Sequence, residues 1–306
     1  MIIKEYDLIE LQKGLFGNGW FGTSFSAEVM SNKLSAEMVM SGHDVKPNYI
    51  NETDFECMIH LSVLEDMRDE NITFMEVGAG FGAQAIRVFG AIKSTVVPTI
   101  VKNIECVCIE AEPTHYKWLC DTFKINGISG VNIYGAMSNK LGYFPFLSIQ
   151  KPDEQYGGTL CRDSRSYEVP CFTIDYLFDR FGWSKLHYID MDIQGSEIDV
   201  LYGGMKSIEA GKIDYIKIAT HRKEFNQQIR DLMSSYYEVV IDILVGSNAS
   251  TDYLMFDGFN KLVYMPIDGL MLLKRKDLFT AKDKKLVYTY NSYINIGVPK
   301  LPKVVG

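Results

Sequence analysis

Several common signatures are missing from this 306-residue chain, and each absence removes a class of function. The six cysteines (Cys57, Cys106, Cys108, Cys120, Cys161 and Cys171) form no C-x-x-C pair and match no zinc-ligand spacing. A zinc module and a disulfide framework are therefore excluded, and a reducing cytoplasm is the expected setting. No uninterrupted apolar run approaches ~18 residues, so no membrane span is expected. Glu5 and Asp7 stand where a secretory leader needs a basic and then an apolar stretch. Basic residues are in the minority, 31 against 39 acidic, for a net charge of −8. With no concentrated Lys/Arg stripe, a nucleic-acid partner is not expected. There is no internal repeat and no low-complexity segment.

What is present is a globular composition, 47% hydrophobic and 23% charged, enough for a sizeable core. From residue 72 onward, apolar strand segments alternate with helical patterns. Strands are expected at 72–77, 105–110, 131–135, 186–191, 213–219, 237–245 and 269–274. Helices are expected near 82–92, 113–126, 195–210 and 223–235. Cys106 and Cys108 alternate within a strand and should face one side as small core residues. Five strands separated by helices or crossovers, then two close together, predict an α/β fold with a Rossmann-like, seven-stranded, mostly parallel sheet covered on both faces. Residues 1–70 read as a helical lead-in or lid, with helices near 26–40 and 53–69, and Trp20 and Phe21 placed to close over a site. Residues 71–275 read as the main domain. Within it, residues 137–185 break the rhythm and read as a small β insertion near the ligand end of the sheet. The Lys-rich tail 276–306 has no assigned place.

The most informative stretch runs from Phe74 to Ile86. An apolar strand enters Gly78, Gly80 and Gly82, spaced G-x-G-x-G, with Glu76 two residues before the first glycine. Dinucleotide binders use G-x-G-x-x-G, and no P-loop Lys-Ser/Thr follows, so neither a nicotinamide cofactor nor a phosphate cradle is favoured. Strand, acid and spaced glycines together suggest S-adenosylmethionine (SAM). A glycine-rich turn that only packs a helix on a strand is the competing reading.

In open α/β sheets the ligand lies at the carboxyl ends of the strands, so the polar residues there matter. Glu110 ends the second strand, where a carboxylate can accept from both ribose hydroxyls; the alternatives are a helix-entry carboxylate and the neighbouring Glu112. The fourth strand ends in Asp190-Met-Asp192-Ile-Gln194-Gly195-Ser-Glu197. Asp190 and Asp192 project the same way and can orient an acceptor or take its proton. With Glu197 they can also hold a hard divalent cation such as Mg²⁺ through oxygens. Against this, Asp192 can simply cap a helix while Glu197 pairs on the surface. His221, leaving the fifth strand, is a candidate general base or an ordinary capping histidine.

At these residues the chain resembles the FkbM-type family of class I SAM-dependent methyltransferases. The likeness lies in Glu76–Gly82, Ile109–Pro113 with Tyr116 and Leu119, Phe172–Leu177, and Asp190–Glu197 with Val200-Leu201 and Gly203-Gly204. Ala219-Thr-His221 resembles the Gly-Thr-His of one branch, and Asp268-Gly-Leu270 the closing strand. The likeness covers roughly residues 50–275. The commoner family form has Lys at the place of Asp190 and Glu at that of Gln194; Gln194 is familiar in the Thr-His branch. No Asp follows the third strand, where many class I enzymes contact adenine, which leaves Met137, Ser138 or Asn139 for that role.

The resemblance implies O-methylation, of a saccharide or glycosylated metabolite, with SAM held by Glu76, Gly78, Gly80, Gly82, Glu110, Ala111 and Ala136. Asp190, Asp192 and His221 are the catalytic candidates. The competing functions are a SAM-binding regulatory protein of the same fold and, less favoured, an NAD-dependent oxidoreductase. The oligomeric state is left open, a homodimer being one option.

Overall fold

Strands that are apolar at nearly every position need cover on both faces, and this chain provides it by alternating them with helices. The computed structural model of the protein describes residues 1, 3–31, 49–50, 52–149, 151, 157–245, 253–254, 262–264, 268–283 and 285–287. The central sheet contains β1 (Asn71–Val77), β2 (Asn103–Glu110), β3 (Gly130–Tyr134), β4 (Leu186–Met191), β5 (Ile213–Thr220), β6 (Tyr237–Ile243), β7 (Gly269–Arg275) and β8 (Leu286–Val287). Their order in space is β8-β6-β7-β5-β4-β1-β2-β3. β7 runs antiparallel to β5 and β6; the other pairings are parallel. The first seven form the mostly parallel sheet read from the sequence. β8 is an added edge strand drawn from the Lys-rich tail. The strand order reverses between β1 and β4, which puts the ligand crevice at their carboxyl ends.

The helices around the sheet are α1 (Glu52–Asp66), α2 (Ala83–Lys93), α3 (Pro113–Asn126), α4 (Ile174–Phe181), α5 (Glu197–Tyr202), α6 (Met205–Glu209) and α7 (Phe225–Met233). The helix expected near 195–210 is broken at Gly203-Gly204. There the backbone approaches so closely that a Cβ on Gly203 would run into the Ser138 carbonyl. Of the helix expected at 26–40, Ala27–Ser31 is helical and the rest lies outside the described residues.

Period-two alternation divides the core between the two faces. Phe74, Cys106, Cys108 and Tyr188 join one apolar cluster with residues of α1, α2 and α3. Met75, Val77, Ile109, Ile189 and Met191 join the other, with α4, α5 and α7. The two cysteines do face one side, and all six cysteines are free thiols. By the same alternation Asp190 points to the α1/α2 side of the sheet.

Trp20 and Phe21 are core residues and not a lid. Each is only 2% exposed, and they pack on α2 at Gly90, where a Cβ would lie 2.9 Å from the Trp20 carbonyl oxygen. The Arg87 guanidinium sits 5.1 Å above the Trp20 ring. The insertion is a separate four-stranded sheet: Tyr167–Phe172 pairs in parallel with Ala136–Met137 and antiparallel with Gly142–Leu147, which also pairs with Thr159–Leu160. Its apolar side packs Phe146, Val169 and Cys171 against Ala111 at the end of β2. Three short strands not anticipated from the sequence, Tyr49–Ile50, Tyr253–Leu254 and Leu262–Tyr264, form a third sheet. Among the described residues no helix is long and apolar enough to cross a membrane.

Candidate active site

The turn after β1 is made possible by glycine. Gly78 has φ +78° and Gly80 φ +56°, in the left-handed region that side chains other than glycine rarely enter. A Cβ on Gly78 would run into the Asp192 carbonyl, so the loop after β1 and the segment after β4 meet backbone to backbone. The amides of Gly78 and Ala79 both donate to the Ile109 carbonyl at 3.0 Å, closing the loop over β2. Gly82, also at positive φ, serves packing instead: a Cβ there would press on Leu119 of α3 at 2.9 Å.

Glu76 does not line the crevice. Its oxygens accept from the backbone N–H groups of Gln84 (3.1 Å) and Ala85 (2.9 Å), capping the first turn of α2. Burial, reinforced by the Asp190 charge, raises this carboxyl to about 8. Glu76 and Gly82 therefore shape the cradle from behind, whereas Gly78, Gly80, Glu110, Ala111 and Ala136 form its wall.

The crevice is a partly open cavity of about 140 Å³. Glu110 stands in its wall. One carboxylate oxygen accepts from Gly80 N–H and the other from Glu112 N–H, both at 2.7 Å, and each keeps room for a second donor. Burial pushes this carboxyl up to about 7 against the pull of those amides. Glu112 is a helix cap, accepting from His115 N–H at 2.8 Å. On the opposite wall stand Phe146, Gly158, Thr159 and Leu160 of the insertion, with Met137 beside Ala136. Thr159 Oγ1 donates to the Gln194 carbonyl at 2.6 Å, pinning the insertion to the segment after β4.

Asp192 and Gln194 also line the crevice, and Asp190 does not. The Asp190 side chain is 1% exposed and that of Asp192 48%. Depth separates them: Asp190 lies inside and Asp192 at the rim. Lys217, directly opposite Asp190 in the β4/β5 register, places its ammonium 2.9 Å from Asp190 and 2.6 Å from Glu56 of α1. Burial would lower this amine, but the two carboxylates hold it above its usual range. Because one ammonium serves two acids, burial and the Glu56 charge keep the Asp190 carboxyl above its own usual range. His60 completes the buried set, its Nε2 2.9 Å from Gln84 Oε1 and its Nδ1 2.8 Å from the Tyr188 hydroxyl. Burial keeps this imidazole neutral, at about 3.

His221 stands behind Asp192 and Gln194. Its Nδ1 donates to Glu197 Oε1 at 2.5 Å, and its Nε2 lies 3.3 Å from Asp192 Oδ1 and 2.9 Å from the Gln194 amide. Burial alone would lower this imidazole; hydrogen bonds to Asp192 and Glu197, with Asp268 adding charge, raise it to about 10. The two carboxylates favour the imidazolium, which argues against His221 as the general base expected from the sequence.

The cation set Asp190, Asp192 and Glu197 is not gathered either. Asp190 meets Lys217, while Glu197 and Asp192 meet His221, so cations of the chain itself occupy the place of a metal. Among the described residues, the one group with ligand atoms close together is Asp69, His187 and Asp214. It lies at the other end of the sheet, where Lys185 and Arg275 neutralise the carboxylates.

No curated protein matches the chain. Similar solved structures include a precorrin-6y C5,15-methyltransferase from Geobacter metallireducens (9% identity, TM-score 0.41, 72% of this chain and 89% of that one). Another is a putative class I SAM-dependent methyltransferase from Listeria monocytogenes (10% identity, TM-score 0.40, 85% and 71%). A third is M. capricolum TrmK in complex with S-adenosylhomocysteine (9% identity, TM-score 0.35, 74% and 69%). The model of the methyltransferase FkbM domain matches residues 76–240, more than half of the chain. The chain belongs to the FkbM methyltransferase family.

This FkbM protein is thus a SAM-dependent methyltransferase with the Rossmann-like fold of class I. Its residues fit such a cofactor: Gly78 and Gly80 line the crevice without side chains, and the Glu110 carboxylate beside them has acceptor capacity left. Its departure at Asp190 also has an explanation. Where the commoner form has a lysine, the cross-strand neighbour Lys217 here sets its ammonium 2.9 Å from Asp190. A lysine at the centre of an apolar strand was the sequence signal for it.

The raised groups give this methyltransferase a defined pH dependence. A folded-state pKa above the unfolded one contributes stability that is complete below the unfolded value and lost as pH rises through the folded value. For Glu76 and Glu110 the window runs from 4.5 to about 8 and about 7, and for His221 from 6.5 to about 10. The ligand-free thermal midpoint is therefore expected to fall between about pH 6 and about pH 10, with His221→Gln flattening the upper part. Calorimetry across that range checks this, and a midpoint rising with pH contradicts the assigned burial.

Proposed function

We propose that this FkbM methyltransferase O-methylates a hydroxyl of a saccharide or glycosylated metabolite. One observation carries the reading: Asp192 stands in the wall of the crevice that also contains Gly78, Gly80 and Glu110, and His221 backs its carboxylate. Bound there, SAM supplies a methyl group already activated on a sulfonium. The protein then has to align a nucleophile and accept one proton. In this reading Glu110 takes the ribose hydroxyls, and Asp192 accepts the proton leaving the acceptor hydroxyl as the new C–O bond forms. His221, as an imidazolium between Glu197 and Asp192, fixes the Asp192 carboxylate. An N–H donor beside a carboxylate acceptor suits neighbouring hydroxyls, which donate and accept at once. Asp190, buried with Lys217, supports the acceptor end without touching the acceptor.

Two experiments test this. Titration calorimetry with S-adenosylhomocysteine should show binding, weakened about 100-fold by Glu110→Ala, as expected from two hydrogen bonds to a charged group at ~1.5 kcal/mol each. Transfer of a labelled methyl group should then be detected on a panel of mono- and oligosaccharides and glycosylated metabolites. Binding with no transfer to any hydroxyl would favour a regulatory SAM-binding role instead.

A further inference from the structure

The Gly-x-Glu at the end of the family-like signature has a physical role that neither the cofactor cradle nor Asp192 accounts for. Glu197 is completely buried at the start of α5, so it does not meet a substrate. Its Oε1 accepts from His221 Nδ1 at 2.5 Å and from the Gly195 amide at 3.2 Å. One oxygen atom thereby joins the segment after β4, which bears Asp192 and Gln194, to the end of β5, which bears His221. Gly195 has φ +94°, and a Cβ on it would press on the Arg222 guanidinium at 3.3 Å. A glycine is what lets that segment turn so that its amide reaches Glu197.

We propose that Glu197 is the positioning residue of the acceptor side: it clasps Gly195 and His221 together and fixes the imidazole so that Nε2 faces Asp192. The proposal rests on the reading of Asp192 as the proton acceptor. The charged groups facing His221 are Glu197 on α5, Asp192 after β4 and Asp268 before β7, the last 3.7 Å from Nε2. Glu197 is the sole member of this set on the Nδ1 side, so it fixes which way the ring points. Asp192 and Asp268 share Nε2. Without the clasp the ring keeps only its Nε2 neighbours Asp192, Asp268 and Gln194, and Asp192 loses a partner fixed from both sides.

The test is nuclear magnetic resonance on the full chain with labelled histidine, the His221 signals among the five histidines being identified with His221→Gln. In the wild type, a downfield Nδ1 proton and a ring protonated on both nitrogens at about pH 8 are expected. Glu197→Gln should lower the His221 titration by about 1–2 pH units, the equivalent of one charge-assisted hydrogen bond. Glu197→Asp, which keeps the charge but shortens the reach, should fall between the two. A merely structural role would change the melting temperature and leave the ring titration alone.

An unchanged titration in Glu197→Gln overturns the proposal. So does a wild-type ring without the downfield Nδ1 proton, a measurement that requires no variant to fold. S-adenosylhomocysteine calorimetry on the same samples separates the two readings. Binding within about threefold of wild type is expected for Glu197→Gln. Failure of the wild type to bind would count against the cofactor site, independently of the ring titration.

Discussion

Asp192→Asn is expected to leave S-adenosylhomocysteine binding nearly intact and to lower methyl transfer to an accepted hydroxyl by about 10²–10⁴-fold, the usual contribution of a positioned proton acceptor. The amide preserves the size of the side chain and its place beside Gly78, where the Asp192 main chain, not its side chain, meets the cofactor loop. It also keeps a carbonyl that can accept from His221 Nε2, so the local geometry should survive. What is lost is the ability to take the proton of the attacking hydroxyl. Single-turnover measurement with labelled SAM separates this from slow product release. If Asp192→Asn transfers methyl at the wild-type rate, Asp192 does not accept the proton.

Lys217→Met is expected to destabilise the fold by about 3–5 kcal/mol in chemical denaturation, because it removes the cation between buried Asp190 and the partly buried Glu56. The Lys217 side chain is 0% exposed and that of Asp190 1%. The ammonium lies within 3.1 Å of both Asp190 oxygens and 2.6 Å from Glu56. The methionine fills most of the stem volume, so the lost pairing and not a cavity dominates the effect. Combining Lys217→Met with Asp190→Asn should recover part of the loss, since one of the two orphaned charges disappears. A single variant as stable as wild type would show that the pair is solvated in solution. Because Glu56 belongs to α1, the same variant should also loosen α1 from the carboxyl ends of β4 and β5.

Much of this was legible in the chain itself. The order of apolar strands and helical patterns fixed the parallel sheet, since buried strands read as continuous apolar runs. The spacing of Gly78 and Gly80, with Glu110 at the next strand end, pointed to the crevice they line, because side chains other than glycine rarely adopt those backbone angles. Ala111 and Ala136 also fell on its wall. Other positions were legible as motif but not as role. Glu76 and Gly82 belong to the same stretch, yet one caps α2 and the other packs on α3, choices set by neighbours distant in sequence. Trp20 and Phe21 read in the sequence as residues closing over a site; the contact with Gly90 and Arg87 of α2 makes them core.

The acceptor side depended most on the tertiary structure. Sequence spacing set Asp190 and Asp192 on one side of a strand end, but it carries no information about depth. Depth decided that Asp190 is neutralised by Lys217 while Asp192 reaches the rim. Likewise His221 stood out in the sequence as a candidate, but its electrostatic surroundings come from Glu197, Asp192 and Asp268, which three different segments deliver. Local pattern determines where the chain turns and what it buries. The electrostatics of a site depend on groups that only folding brings within a few ångströms, so the fold of this methyltransferase and the residues lining its crevice were readable from its sequence, and the surroundings of its acids were not.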